Sequence, residues 1–164
     1  MAIRIDPRDI NLGEEKVVKI NRTSATVKGG RRFSFTGVVV IGDEKGVVGW
    51  ATGKAREVPN AVDKAVRNAR KNLWRVPLYK HTIPHEVVGK FGASSVKLMP
   101  AAPGTGIIAG AVVRAVLESV GVHDVLTKVY GSHNEMNLVQ AVFDALLKLR
   151  SKKEIEELRG VKLS

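Results

Sequence analysis

Polar and apolar residues first alternate with period two. Lys16 to Ser24, KVVKINRTS, predicts a short strand, and Arg32 to Ile41, RFSFTGVVVI, a longer one with Phe33, Phe35, Val39 and Ile41 on one face. Gly42 to Gly46, GDEKG, has turn chemistry, and VVGWAT follows as a third strand, so the opening elements form a meander. The period then lengthens. Val58, Ala61, Val62, Ala65, Val66, Ala69 and Leu73 recur at steps of three and four, the stripe of an amphipathic helix laid on a sheet. Pro59 suits the first turn of that helix, where its missing N–H costs no bond.

Val76 to Glu86, VPLYKHTIPHE, contains Pro77 and Pro84 and no periodicity, and is read as the boundary between a domain of residues 1–76 and one of 77–150. Beyond it, EVVGKF and SSVKLMPA predict a hairpin. GTGIIAGAVVRAVLESVG predicts a glycine-rich turn feeding a helix that ends at Gly121, and VHDVLTKVYG a further strand. Ser132 and Glu135 have capping-box spacing ahead of a last helix marked by Met136, Val139, Phe143, Leu146 and Arg150. Residues 151–164 are a charged tail that either extends this helix or frays. The chain is thus α+β in two small domains, βββα and then ββαβα. Each half, at roughly 75 to 90 residues, has a marginal core, so mutual packing or a bound partner is expected to complete its stability.

Charge adds a partner to this picture. Lys and Arg number 27 against 16 Asp and Glu, a net charge of +11. The excess is uneven, with 16 basic and 8 acidic residues in 1–75 against 11 and 8 in 76–164. Such a charge attracts a polyanion, and the anion-facing work falls mainly to the first half. The chain contains no apolar run near the ~18 residues of a membrane span. The N-terminal stretch MAIRIDPRDINLGEEKVVK mixes acids and bases where a signal peptide needs an apolar core. With no Cys, thiolate catalysis, disulfides and Cys-based zinc sites are excluded, and a cytoplasmic location is expected.

Three stretches are candidates for chemistry. Arg22 to Arg32 carries Arg22, Lys28, Arg31 and Arg32 around Gly29-Gly30 with no acid to pair them. It reads as a loop too long for a two-residue hairpin, whose glycines let backbone N–H groups approach phosphates that the cations neutralise. Lys54 and Arg56 stand just before the first helix, whose free N–H groups and dipole favour a phosphate, and Lys64, Arg67 and Lys71 share an exposed face of that helix. Pro100 to Ala111, PAAPGTGIIAGA, has a Gly-Thr-Gly turn that either cradles a nucleotide phosphate or packs closely on its helix. It lacks the Lys-Ser/Thr of a P-loop and an acid near it in sequence to hold magnesium. His81 and His85 have the spacing of a ligand pair, but Pro84 opposes the helix that would align them, so no metal is expected.

Two long segments, NRTSATVKGGRRFSFTGVVVIGDEKGVVGWATGKAREVPNAVDKA and PAAPGTGIIAGAVVRAVLESVGVHDVLTKVYGS, resemble bacterial small-subunit ribosomal protein S-five, and the likeness covers nearly the whole chain. The resemblance implies an N-terminal domain similar to a double-stranded-RNA-binding domain. It also implies a C-terminal ribosomal S-five domain-2-like fold, shared with galactokinase-type enzymes without their chemistry. It further implies binding to small-subunit ribosomal RNA, support of subunit assembly and translational accuracy, and contacts with ribosomal proteins S-four and S-eight. On this likeness the Arg22 to Arg32 loop lies beside the spectinomycin pocket near the decoding region, and Gly104 and Arg114 match positions of the S-four contact. The family's Gly-x-Gly-x-Gly-Lys-Ala run is here Gly49-Trp50-Ala51-Thr52-Gly53-Lys54-Ala55, so Ala51 argues against a need for glycine-only angles there.

The reading that results is a structural RNA-binding protein with no catalytic residue, cofactor, metal or small-molecule substrate. A free-standing duplex-RNA-binding regulator and a kinase-like enzyme using Gly104 to Gly106 are the alternatives. Sedimentation with the small subunit separates the first from the regulator, and magnesium-dependent ATP binding separates it from the enzyme.

Overall fold

The computed structural model describes residues 3–5 and 12–162. Most of the N-terminal stretch read against a signal peptide, and the last two residues of the tail, lie outside them. The first half contains β1 (Ile3–Ile5), β2 (Lys16–Val27), β3 (Gly30–Gly42), β4 (Val47–Ala55), α1 (Val58–Arg70) and β5 (Leu73–Arg75). These strands make one antiparallel sheet in the order β1-β5-β4-β3-β2. The meander is therefore widened by two strands too short for a period-two pattern to reveal. Leu73, assigned to the helix by its spacing, lies in β5 and is fully buried there, because α1 ends at Arg70 and the chain turns back through Lys71 and Asn72.

Val38 to Ile41 are all buried, which an alternating, one-faced strand would not show. Val39 and Ile41 pack with Ala51 beneath Ala65, Val66 and Ala69 of α1. Val38, Val40 and Val48 face the other way, into a cluster with Val113, Val116, Leu117 and Val120 of the second half. One glycine stripe explains how closely α1 sits. A Cβ on Gly53 would lie 2.2 Å from the Ala61 carbonyl oxygen, and one on Gly49 2.8 Å from that of Ala69. Neither has a positive φ, so the stripe serves close approach, and Ala51 fits where the helix leaves a methyl's room.

The second half contains β6 (Val87–Phe91), β7 (Ser94–Pro100), β8 (Ile107–Ile108), α2 (Ala111–Val120), β9 (Val125–Gly131), α3 (Glu135–Lys148) and α4 (Lys152–Arg159). Its sheet runs β6-β7-β9-β8, with β8 parallel to β9 across the α2 connection. Gly89 of β6 repeats the glycine device, its absent Cβ leaving room for Ala141 and Ala145 of α3. Gly121 ends α2 in the left-handed region as expected. The predicted capping box does not form at α3. Asn134 caps that helix, its side-chain oxygen accepting from the N–H groups of Met136 and Asn137, while Ser132 accepts from Asn134. The reciprocal box occurs instead at Ser151 and Glu154, which open α4 as a separate helix after Leu149 turns extended. Arg150 thus lies beyond the helix that its spacing predicts.

The two halves share their core and are stitched by backbone. Glu44 and Gly46 N–H groups donate to the Ser119 and Val120 carbonyls at the end of α2, 3.2 and 2.8 Å away. Lys16 and Lys19 of β2 pair with Glu118 of α2 and Glu135 of α3, and Trp50 meets Phe143 at 6.2 Å between ring centres. Mutual packing therefore supplies what each small half lacks.

Candidate nucleic-acid interface

The segment from Arg22 to Arg32 is not a long loop. β2 and β3 remain paired out to Val27 and Gly30, leaving only Lys28 and Gly29 between them. The loop reading fails because Ser24, Ala25 and Thr26 carry no apolar alternation, yet the β-branched Thr23, Thr26 and Val27 suit a solvated ladder. The result is a two-stranded ribbon whose residues from Arg22 to Phe33 are all exposed. Gly30 takes φ 128°, so its glycine is needed for the angle, while a side chain on Gly29 would meet open space.

Period two distributes the cations. The register pairs Thr26 with Arg31 and Ala25 with Arg32, so the two arginines point to opposite faces of the ribbon. Arg22 shares the Arg31 face, its guanidinium 3.9 Å from the centre of the Phe33 ring, which keeps a planar cation spread over an exposed aromatic. On the other face Thr23 and Ser34 bond hydroxyl to hydroxyl at 2.9 Å. Lys54, at the end of β4, lies opposite Thr36 and so follows the Arg32 face.

The helix contributes a second set. Glu57 precedes α1 without a side-chain cap bond to its first turn, and Arg56 is exposed beside it. Lys64 and Arg67 stand on the side of α1 turned from the sheet, as their spacing predicts, whereas Lys71 is exposed at the C-cap just beyond the helix, because α1 ends at Arg70. The candidates therefore form a ribbon with cations on both faces and a separate helix face, not one cluster. Among the described residues, Arg22, Lys28, Arg31, Arg32, Lys54, Arg56, Lys64 and Arg67 make no ion pair, whereas Lys16, Lys19, Lys97, Lys148 and Lys152 all do.

The Gly104 to Gly106 turn is occupied from within the chain. The N–H groups of Gly104 and Gly106 donate to the same oxygen of Asp124, 3.0 and 2.9 Å away, and Asp124 is buried. An acid remote in sequence thus fills the cradle that would have held a phosphate. Close packing is not the reason for these glycines either, since a Cβ on each meets nothing, whereas φ is 90° and 74°. Arg114 donates to the Ile107 carbonyl at 3.1 Å and lines a depression of about 400 Å³ at the seam with Lys16, Glu44 and Glu118. His85 accepts from the Arg150 N–H, a structural clip, and the described residues hold no cluster of three metal-ligating side chains.

Two family models match the chain: "Ribosomal protein S5, N-terminal domain" over residues 13–77 and "Ribosomal protein S5, C-terminal domain" over 89–159. The chain belongs to the uS5 family of small-subunit ribosomal proteins. Its relatives include the small ribosomal subunit protein uS5 of Chloroflexus aurantiacus, 56% identical over 96% of this chain and 88% of that one. The uS5 protein of Flavobacterium psychrophilum is 50% identical over 97% and 91%, and that of Rhodopirellula baltica 54% over 90% and 83%. As a uS5 protein the chain is a structural constituent of the small ribosomal subunit that binds its RNA, and is not an enzyme. This uS5 chain thus puts a carboxylate of its own on the turn that would otherwise cradle a nucleotide phosphate. No helix among the described residues is long and apolar enough to cross a membrane.

Proposed function

We propose that this uS5 chain holds small-subunit ribosomal RNA between the two faces of its β2–β3 ribbon and the outer face of α1. Arg22, Lys28, Arg31, Arg32, Lys54, Arg56, Lys64, Arg67 and Lys71 meet phosphates, and the Gly29 N–H approaches the backbone between them, while Gly30, paired with Val27 across the turn, serves the turn's geometry and not as a donor to RNA. The observation that carries this reading is the density of unneutralised cations on one exposed ribbon, Arg22, Lys28, Arg31 and Arg32 within eleven residues and no acid among them. The ribbon cations have no acidic partner among the described residues, and a free two-stranded ribbon is marginal in water, so both its charge and its order call for an external polyanion. By family likeness, the ribbon tip lies beside the spectinomycin pocket near the decoding region. Gly104 and Arg114 belong to a contact with ribosomal protein S-four that bears on translational accuracy, and S-eight is a further neighbour.

The test is binding to deproteinised small-subunit ribosomal RNA at stepped salt. Replacing Arg31 and Arg32 with Ala weakens binding and lowers the log-log salt slope by about 0.7 to 0.9 for each phosphate no longer neutralised. An unchanged slope in the folded variant removes the ribbon from the interface.

A further inference from the structure

The second sheet has one face under α3 and one face uncovered. Val87, Gly89, Val96 and Leu98 point toward the helices and are buried. Period two sends Val88, Lys90, Lys97, Lys128 and Tyr130 the other way. The strand register fixes how these side chains meet. Val88, Lys97 and Lys128 form one row across β6, β7 and β9, and Lys90, Ser95 and Tyr130 form the next. Lys97 and Lys128 are therefore direct cross-strand neighbours of like charge, an arrangement that costs stability. Lys97 is compensated by Glu86 at 2.7 Å, whereas Lys90 and Lys128 are exposed and make no ion pair among the described residues. Tyr130 beside them is 53% exposed. Two opposed lysines and a half-exposed aromatic ring thus lie together on one sheet face, and the lysine pair costs the fold stability.

We infer that this open face of the β6-β7-β9 sheet is a second RNA-binding surface, in which Lys90, Lys97 and Lys128 take phosphates and Tyr130 stacks on an unpaired base. The inference rests on the family's RNA binding but is independent of the ribbon. Sheet faces bind single-stranded RNA with this combination, an exposed aromatic for the base and cations beside it for the backbone. A protein neighbour is a poorer match, because lysine is depleted from the cores of protein interfaces. Charge asymmetry in sequence hides the site, since the second half is only slightly basic and its cations gather on one face by strand register alone.

The experiment uses the full chain and deproteinised small-subunit ribosomal RNA, with affinity measured across a potassium chloride series and Tm recorded for every variant. The Lys90→Ala, Lys128→Ala double variant lowers the salt slope by about 0.7 to 0.9 per lysine at unchanged Tm. Lys128→Glu sets an acid opposite Lys97, so it binds RNA more weakly while its Tm holds or rises, a pairing of signs that unfolding cannot produce. Tyr130→Ala weakens binding about tenfold with the slope unchanged, and Tyr130→Phe restores it. Unchanged affinity and slope in the lysine variants overturn the inference. If those variants then enter small subunits poorly, the face belongs to a protein neighbour. Loss of slope in the Arg31, Arg32 variant alone leaves the ribbon reading standing while this one falls, and loss in neither set removes both.

Discussion

The two ends of one hairpin differ more than the two halves of the molecule. At its base, β3 carries Val38 to Ile41, buried under α1 on one side and against α2 on the other. At its tip, β2 and β3 carry Arg22, Lys28, Arg31 and Arg32 into and around the turn, with every side chain exposed. The backbone ladder reaches both ends, and its irregularity, a bulge between Val17 and Lys19, is at the base, so weaker pairing does not explain the exposed tip. What differs is which surface completes each end. The base is completed by the protein's own helices through apolar burial, and the tip by a charged partner. Substitutions at the base should therefore register in stability, and those at the tip in RNA binding.

The sharpest break is Gly53→Val, which drives a side chain into the α1 backbone 2.2 Å away. It should cost about 3 kcal/mol or more, the upper end of overpacking, since the obstacle is main chain with no rotamer to yield. Urea denaturation checks it, and a loss below about 1 kcal/mol would show that α1 can lift from the sheet. Val40→Ala follows, at about 2 kcal/mol for a small cavity in the shared core. Both halves should unfold in one transition, because the cluster around Val40 spans them.

Glycine separates the two tip positions. Gly30→Ala should cost about 1 kcal/mol because φ is 128°, while Gly29→Ala, with open space and no such angle, should change stability by less than about 0.5 kcal/mol. Equal effects would mean that the turn relaxes freely.

The smallest expected effect lies where β2 meets α3. The Glu135 carboxyl is held below the usual carboxylate range, first by a hydrogen bond from its own backbone N–H at the helix start and then by Lys19. A depressed carboxylate contributes stability that is present above its unfolded pKa and is lost as pH falls through the folded one. Lys19→Gln should thus raise the Glu135 pKa toward its ordinary value, followed by NMR titration, and shallow the acid limb of the stability curve. A titration unmoved by the variant would leave the backbone bond as the whole cause.

Sequence patterns serve best where burial is local. The α1 stripe, the second-half hairpin and Gly121 are legible, because each follows from a period or a backbone angle within a few residues. The ribbon reads as a loop since its strands bury nothing at the tip, and periodicity reports burial rather than pairing. Leu73 falls into the wrong element because a helix stripe and a following strand can feed the same core. Ser132 and Glu135 have the spacing of a capping box, but spacing does not tell which residue leaves the helix, and Asn134 does.

Of the interface, the sequence by itself determined the inventory: the cations around Gly29-Gly30, the basic face of α1, the absence of Cys, and segments long enough to place the chain in its family. Only the tertiary structure decided the arrangement. It set Arg31 and Arg32 on opposite faces, brought Asp124 onto the Gly104 and Gly106 amides across 20 and 18 positions, and lined up Lys97 with Lys128. These relations depend on strand register and on contacts between remote segments. Composition and local period carry neither, because a one-residue slip changes every facing partner while leaving the sequence pattern of each strand the same.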